Sequence, residues 1–117
     1  MEFQYKKELS LEKRKDHCHK LMIKEPDKIP IILEKDPSSK LEKIKSRYLL
    51  KRDFTVNKFQ LLIKRMLKIP EEEALFLSAK GKYNINGERT IDDVYNAYKD
   101  KEDGFLYVMY SSELIYG

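Results

Sequence analysis

The sequence predicts an α+β fold in which two helices precede a small sheet with two further helices. Three observations lead to this prediction. Apolar residues recur at helical spacing within the first 25 residues, short segments rich in β-branched residues follow, and a strongly amphipathic stretch separates the early strands from the late ones. The 117 residues, of which 41% are hydrophobic and 38% charged, are typical of one folded domain with a highly charged surface.

The first predicted elements are two helices. A short helix over Phe3–Glu8 has only a weak pattern. Ser10 is an N-cap for a longer, basic helix that must end before Pro26, and its apolar residues recur at helical spacing. These are Leu11, Cys18, Leu21 and Met22.

A β-hairpin and a third helix are predicted next. KIPIILEK at 28–35 is rich in β-branched residues, KDPSSK at 35–40 supplies turn chemistry, and RYLL at 47–50 forms the second strand. Thr55 then caps VNKFQLLIKRMLK, whose apolar residues fall on one face before Pro70 ends the helix.

Two strands and a short helix complete the predicted fold. EALFLSA at 73–79 is a strand, and the Gly- and Asn-rich KGKYNINGE at 80–88 is a turn region. Thr90 and Asp93 form a T-x-x-D capping box that opens a helix to about Lys99. GFLYVMYS at 104–111 carries apolar residues on both faces, which favours a central position in the sheet.

Strand–strand–helix–strand–strand is the β-grasp arrangement of ubiquitin-like folds, here with two additional N-terminal helices. We therefore expect a helical extension over residues 1–25, a ubiquitin-like core over 26–111 and a flexible C-terminal tail over 112–117, all in one domain. The longest apolar runs, such as IPIIL at 29–33, are too short to cross a bilayer, and a single Cys18 fits a reducing compartment. We expect a cytoplasmic protein.

Charge is distributed unevenly along the chain. Residues 1–70 carry 19 Lys and Arg against 10 Asp and Glu, whereas residues 71–117 carry 5 against 10. This uneven charge produces a positive electrostatic potential around the N-terminal part, which attracts acidic partners to it. We expect no nucleic-acid partner, because the aromatic residues lie within apolar strand patterns rather than on a basic stacking platform.

The adjacent residues His17, Cys18 and His19 contain the side-chain types of a metal site or a nucleophile. Consecutive residues on a helix diverge by about 100°, so these three cannot converge on one ion. The sequence also contains no Gly-rich phosphate loop and no convincing catalytic triad. We predict no metal, no cofactor and no enzymatic activity.

Several segments match a known family. They are MEFQYK at the start, LEKR at 11–14, PDKIPIILEK at 26–35, RYLL at 47–50, FTV at 54–56 followed by Phe59, EEALF at 72–76, and EDGFLYVMYSSE at 102–113 leading to Tyr116-Gly117. In these segments the chain resembles the autophagy ubiquitin-like modifiers, which include the GABA-receptor-associated protein. The resemblance is in register along the chain, with gaps near 42–46, 78–90 and 101–102.

The resemblance implies that Gly117 is conjugated to a lipid. An E1-like enzyme would activate its carboxyl group, an E2-like enzyme would carry it as a thioester, and phosphatidylethanolamine would accept it on autophagosomal membranes. In the family, a cysteine protease often removes a C-terminal extension to expose this glycine. A glycine without a Cβ suits a narrow catalytic channel, and two acyl chains at about 0.8 kcal/mol per buried CH₂ anchor a protein stably.

The resemblance also implies capture of aromatic-x-x-aliphatic motifs from cargo receptors and adaptors by β-augmentation at RYLL. Because side chains alternate along a strand, anchors at i and i+3 point in opposite directions and need separate pockets. The aromatic pocket would use His17, Leu21, Pro30, Ile32, Leu49 and Phe105, with Lys45 and Arg47 at its rim. The aliphatic pocket would use Tyr48, Leu50, Phe54, Phe59 and Leu62, while Lys28, Lys45 and Arg47 would attract the acidic flank of the motif.

Ordinary core packing is an equally good reading for Ile32, Phe59 and Leu62. His17 stands where the family often has an acidic residue, which would make the aromatic pocket less negative and pH-sensitive. Lys51 stands where proline is usual, so the edge strand would run longer. No functional residue is carried over into the divergent segment 78–90.

We expect a monomer. An alternative function is a peptide-binding adaptor in vesicle trafficking that is never lipidated. Deletion of Gly117 would distinguish the two, because only the conjugated protein would lose its membrane attachment.

Overall fold

The computed structural model describes residues 2–113. Within this range four helices and five strands follow one another as α1 Gln4–Glu8, α2 Leu11–Lys24, β1 Lys28–Lys35, β2 Arg47–Lys51, α3 Val56–Leu67, β3 Phe76–Ala79, β4 Tyr83–Asn84, α4 Ile91–Tyr98 and β5 Leu106–Ser111. The predicted α+β class is confirmed. None of the helices in residues 2–113 has the length and hydrophobicity needed to span a bilayer.

The strands form one mixed sheet with the order β2-β1-β5-β3-β4. β1 pairs antiparallel with β2, as predicted for a hairpin, and parallel with β5. β5 pairs antiparallel with β3 on its other side, so the predicted central position of this strand is confirmed. β2 therefore lies at an edge of the sheet, with β1 as its neighbour.

Side-chain caps begin three of the helices. The side-chain oxygens of Ser10, Thr55 and Thr90 each accept a hydrogen bond from the backbone amide three residues later, at 3.3, 3.2 and 3.1 Å. Each of these bonds satisfies an amide that has no partner inside its helix. The predicted starts of α2, α3 and α4 are therefore confirmed.

The central strand β5 contributes to two apolar clusters, one on each face of the sheet. Leu106, Val108 and Tyr110 pack with α3 and α4 in the larger cluster. Phe105 and the alternate β5 residues Tyr107 and Met109 pack with α1 and α2 in the smaller one. Alternation along β5 thus places helices against both faces, as its two apolar faces predicted.

The prediction of a turn region over 80–88 was wrong in one detail, because Tyr83 and Asn84 form β4. They pair with Ala79 and Ser78 of β3. The Gly- and Asn-rich segment has little strand propensity of its own, and tertiary pairing overrides it. Beyond β4 the side chain of Asn86 continues the connection, because its Oδ1 accepts a 2.9 Å hydrogen bond from the amide of Leu77.

Two ion pairs fasten the N-terminal helices to the loop between α4 and β5. Arg14 of α2 donates from Nε to Oδ2 of Asp103 at 2.9 Å, and Lys6 of α1 donates to Oδ2 of Asp100 at 2.5 Å. The hydroxyl of Tyr107 also donates to Oδ2 of Asp103. These contacts fix α1 and α2 on the sheet, where α2 forms one side of the site described next.

Candidate functional site

The edge strand β2 is the framework of the candidate site. Its residues Arg47 to Lys51 pair with β1 along one side only. A strand at a sheet edge presents unpaired N–H and C=O groups on its open side, and these can pair with an added strand. RYLL was predicted to be such an edge, and the strand order confirms its position.

Alternate side chains of β2 belong to opposite faces of the sheet. Arg47 and Leu49 lie opposite Ile32 and Pro30 in the register, on the α1/α2 face. Tyr48 and Leu50 lie opposite Ile31 and Ile29, which belong to the cluster under α3 and α4. One short strand can thus supply walls to two separate depressions.

The first pocket, a depression of about 370 Å³, lies between β2 and α2. Its lining residues are Leu21, Ile31, Lys45, Arg47, Tyr48, Leu49 and Phe105. Five of these were predicted for the aromatic pocket, namely Leu21, Lys45, Arg47, Leu49 and Phe105. Of the remaining predicted residues, Pro30 and Ile32 are buried beneath the surface. The pocket therefore combines an apolar interior with the cationic side chains of Lys45 and Arg47.

An aromatic contact supports the base of the first pocket. The ring of Phe105 meets the ring of Tyr5 edge to face, with 5.3 Å between their centroids. The hydroxyl of Tyr5 is hydrogen-bonded to Nδ1 of His17 at 3.0 Å, and burial raises the pKa of Tyr5. His17 lies one helical turn before Leu21 on α2, so this bond helps to hold the wall of the pocket in place. His17, which was predicted for the aromatic pocket, bonds to Tyr5 and is not among the residues that line the first pocket.

The second pocket, a depression of about 490 Å³, lies between the end of β2 and the start of α3. Its lining residues are Lys28, Leu49, Leu50, Lys51, Asp53, Phe54 and Lys58. Leu50 and Phe54 were predicted for the aliphatic pocket. Lys28 was predicted to attract acidic residues, and it lies at this rim.

The other residues predicted for the aliphatic pocket lie deeper or to one side. Phe59 is 0% exposed and Leu62 is half-buried against the same cluster, as the core-packing reading expects. Tyr48 packs edge to face on Phe59 with 5.6 Å between ring centroids, and burial raises its pKa. Its hydroxyl lies 3.6 Å from Sδ of Met66. Tyr48, predicted for the aliphatic pocket, lines the first pocket instead, and Phe59 packs against its ring from the core.

Three residues that line the second pocket, Lys51, Asp53 and Lys58, are not among the site residues that the sequence predicted. Lys58 is the third residue of α3, and its amide donates to the cap Thr55. A signal was present in the sequence, because a helix that starts at Val56 brings its first turn next to Phe54. Charged residues in a first turn are usually solvated, so this signal is weak.

His17, Cys18 and His19 occupy three different environments. His17 bonds to Tyr5, Cys18 is buried against Gly104, and His19 is exposed. Burial raises the pKa of the Cys18 thiol to about 11, with a further contribution from the charge of Asp103. Within residues 2–113, no three His, Cys, Asp or Glu side chains are grouped so that they could hold a metal ion.

The sheet order, the helix α3 across one face and the two added helices on the other define a ubiquitin-like protein with an N-terminal helical extension. A family model described as "Autophagy protein Atg8 ubiquitin like" matches residues 13–117. The crystal structure of Trypanosoma brucei ATG8 is similar over 100% of both chains, with a TM-score of 0.88 and 30% sequence identity. The chain therefore belongs to the Atg8 family of autophagy ubiquitin-like modifiers, and the predicted family and fold are confirmed.

Proposed function

We propose that this protein is joined through Gly117 to phosphatidylethanolamine on autophagic membranes, where it recruits cargo receptors and adaptors. Recruitment uses aromatic-x-x-aliphatic motifs that add a strand to the open edge of β2. E1-like and E2-like enzymes supply the nucleophilic cysteines for conjugation, and a cysteine protease exposes or releases Gly117. In this proposal the protein is the substrate of these enzymes and performs no catalysis itself.

The observation that carries the proposal is the position of β2, an edge strand bordered by two pockets, one next to α2 and one next to the start of α3. A bound peptide gains backbone hydrogen bonds from the edge and buries one anchor in each pocket. Each buried anchor contributes about 1.5–3 kcal/mol. Together with the cationic rims, this supports micromolar affinity, on the order of −8 kcal/mol.

Family membership and the Tyr116-Gly117 pair support the conjugation half of the proposal. Gly117 and the three residues before it lie outside the described residues, so this half depends on chemistry rather than on geometry. A glycine carboxyl group has no Cβ beside it to hinder its entry into a narrow active site.

One experiment with two variants tests both halves. The protein is incubated with E1-like and E2-like enzymes, ATP and phosphatidylethanolamine vesicles, and mass spectrometry locates any lipid adduct. Motif-peptide affinity is measured separately by fluorescence anisotropy. Deletion of Gly117 should abolish the adduct and leave peptide affinity unchanged. Leu49→Ala should weaken peptide binding about tenfold, because it removes part of a pocket wall, and leave the adduct intact.

Leu67→Ala is a matched control, because Leu67 is a half-buried leucine at the far end of α3 and should leave peptide affinity unchanged. Normal peptide binding by the Leu49→Ala protein would refute capture at β2. A lipid adduct that persists without Gly117 would refute conjugation at this residue. Peptide binding with no adduct on the unmodified protein would instead favour the adaptor that is never lipidated.

A further inference from the structure

Three lysines surround the second pocket. Lys28 belongs to β1, Lys51 ends β2, and Lys58 lies in the first turn of α3. Asp53 is the acidic residue of this lining. Lys28 forms a half-exposed 3.1 Å ion pair with Glu25, whereas Lys51 and Lys58 have no ion-pair partner within residues 2–113. The rim of an apolar pocket thus carries excess positive charge.

The positions of these lysines are locally unfavourable. Lys28 and Lys51 are direct partners in the β1–β2 register, and like charges opposite each other destabilise a strand pair. Lys58 lies in the first turn of α3, where the helix dipole favours acidic side chains and no acidic residue is present. Locally unfavourable residues are often found at functional sites. A bound anion would offset both the repulsion between Lys28 and Lys51 and the unfavourable position of Lys58 near the positive end of the α3 dipole.

The order of the two pockets sets the direction of a bound peptide. The aromatic anchor precedes the aliphatic anchor in the motif. The first pocket is lined by β2 residues 47–49 and the second by residues 49–51, so the second lies nearer the end of β2. The peptide therefore runs parallel to β2. Each residue advances about 3.3 Å, so residues after the aliphatic anchor extend past the end of β2.

Side chains alternate along a bound peptide strand, so the two peptide residues after the aliphatic anchor point to opposite sides, and each side carries lysine. The residue directly after the aliphatic anchor points toward the α2 side, where Lys28 pairs with Glu25 at the end of α2 and Lys51 lies opposite. The following residue points toward α3 and Lys58. A ligand with acidic side chains at both positions would therefore meet the rim charges of the pocket.

We infer that the second pocket selects motifs in which two acidic residues directly follow the aliphatic anchor. Lys28, Lys51 and Lys58 are then specificity-determining residues for the peptide ligand. This inference rests on the proposed capture of peptides at β2. It concerns charges that lie beyond the two anchors, so it can fail while capture itself stands.

Two labelled peptides test the inference by fluorescence anisotropy. Both carry the same aromatic-x-x-aliphatic anchors, followed by Asp-Asp in one and Asn-Asn in the other. The unmodified protein should bind the Asp-Asp peptide about three- to tenfold more tightly, as expected for two surface ion pairs. The double variant Lys51→Gln, Lys58→Gln should lose most of this preference, since only Lys28 remains, and should keep its affinity for the Asn-Asn peptide.

The variant Lys13→Gln, Lys15→Gln is the matched control, because it removes the same charge from exposed positions on α2. It should keep the preference for the Asp-Asp peptide. Equal binding of both peptides by the unmodified protein would overturn the inference and leave the proposed capture intact. If neither peptide binds, capture at β2 fails and the inference fails with it.

The lysines could instead face a membrane surface, and vesicles containing anionic lipids provide the test. Weaker vesicle binding by the Lys51→Gln, Lys58→Gln protein, together with an unchanged preference for the Asp-Asp peptide, would overturn the inference. Unchanged vesicle binding and a lost preference would support it.

Discussion

Arg14→Met should destabilise the protein by about 3–5 kcal/mol, the range for breaking a buried ion pair by removing one partner. The side chain of Asp103 is 0% exposed and that of Arg14 is 10% exposed, so water screens their attraction only weakly. Oδ1 of Asp103 accepts a 2.9 Å hydrogen bond from the amide of Phe105, and Oδ2 accepts from the hydroxyl of Tyr107. These neutral donors remain in the variant, but the counter-charge is lost.

The guanidinium also holds the end of α1. Its Nη1 donates to the carbonyl oxygen of Leu9 at 2.8 Å and to that of Lys6 at 3.2 Å. Each lost hydrogen bond costs about 0.5–1.5 kcal/mol, which places the expected effect toward the upper part of the range. Because α2 carries Leu21, we also expect looser packing of the first pocket and weaker peptide binding.

Urea unfolding followed by circular dichroism measures the free energy of unfolding. Arg52→Met is a matched control, because Arg52 pairs with Asp92 at 2.7 Å but the two side chains are 39% and 38% exposed. A pair this exposed contributes about 0–1 kcal/mol. An Arg14→Met protein no less stable than the Arg52→Met protein would refute the reasoning.

Two further predictions concern ionisable groups near the same loop. The thiol of Cys18 is buried and its pKa is raised to about 11 from 9.0, so iodoacetamide at pH 8 should alkylate the folded protein about a hundredfold more slowly than the urea-unfolded protein; equal rates would contradict this. Burial alone would raise the pKa of Asp100, but hydrogen bonds from Lys6 and the amides of Asp103 and Glu102 outweigh it and lower that pKa. The ionised Asp100 therefore stabilises the folded state. Its contribution is fully present above the ordinary carboxyl pKa and is lost as the pH falls through the lowered pKa of Asp100. Between neutral and acidic pH, the Lys6→Met protein should therefore lose less free energy of unfolding than the unmodified protein, as measured by urea titrations. Equal losses in the two proteins would refute the stabilising role of the Lys6–Asp100 pair.

Local chemistry made much of the fold predictable from the sequence. Ser10, Thr55 and Thr90 mark helix starts because a cap and its partner amide lie three residues apart. The buried pair of Arg14 and Asp103 gave no such signal, because its members are 89 residues apart and charged residues usually lie in solvent.

The candidate site also combines features that could be predicted from the sequence with features that could not. The sequence predicted β2 as an edge strand with Leu49 in the first pocket and Leu50 in the second; in the structure Leu50 lines the second pocket, whereas Leu49 lines both. The depth of Phe59 and the approach of Lys58 to the second pocket depend on how α3 lies across the sheet. Periodicity defines the apolar face of a helix, but it does not determine the position of the helix on its sheet.

The open edge of β2, which we propose as the peptide site, could also pair with β2 of a second copy of the protein. If two β2 strands paired antiparallel in register, Arg47 of one copy would face Lys51 of the other at both ends, with Leu49 opposite Leu49 between them. Like charges directly opposite each other destabilise such a pair, and charged edge residues are a common protection against edge-to-edge association. An acidic peptide meets the same residues with the opposite sign. The charges that disfavour self-pairing of β2 are therefore the same charges that would favour the proposed acidic ligand at this edge.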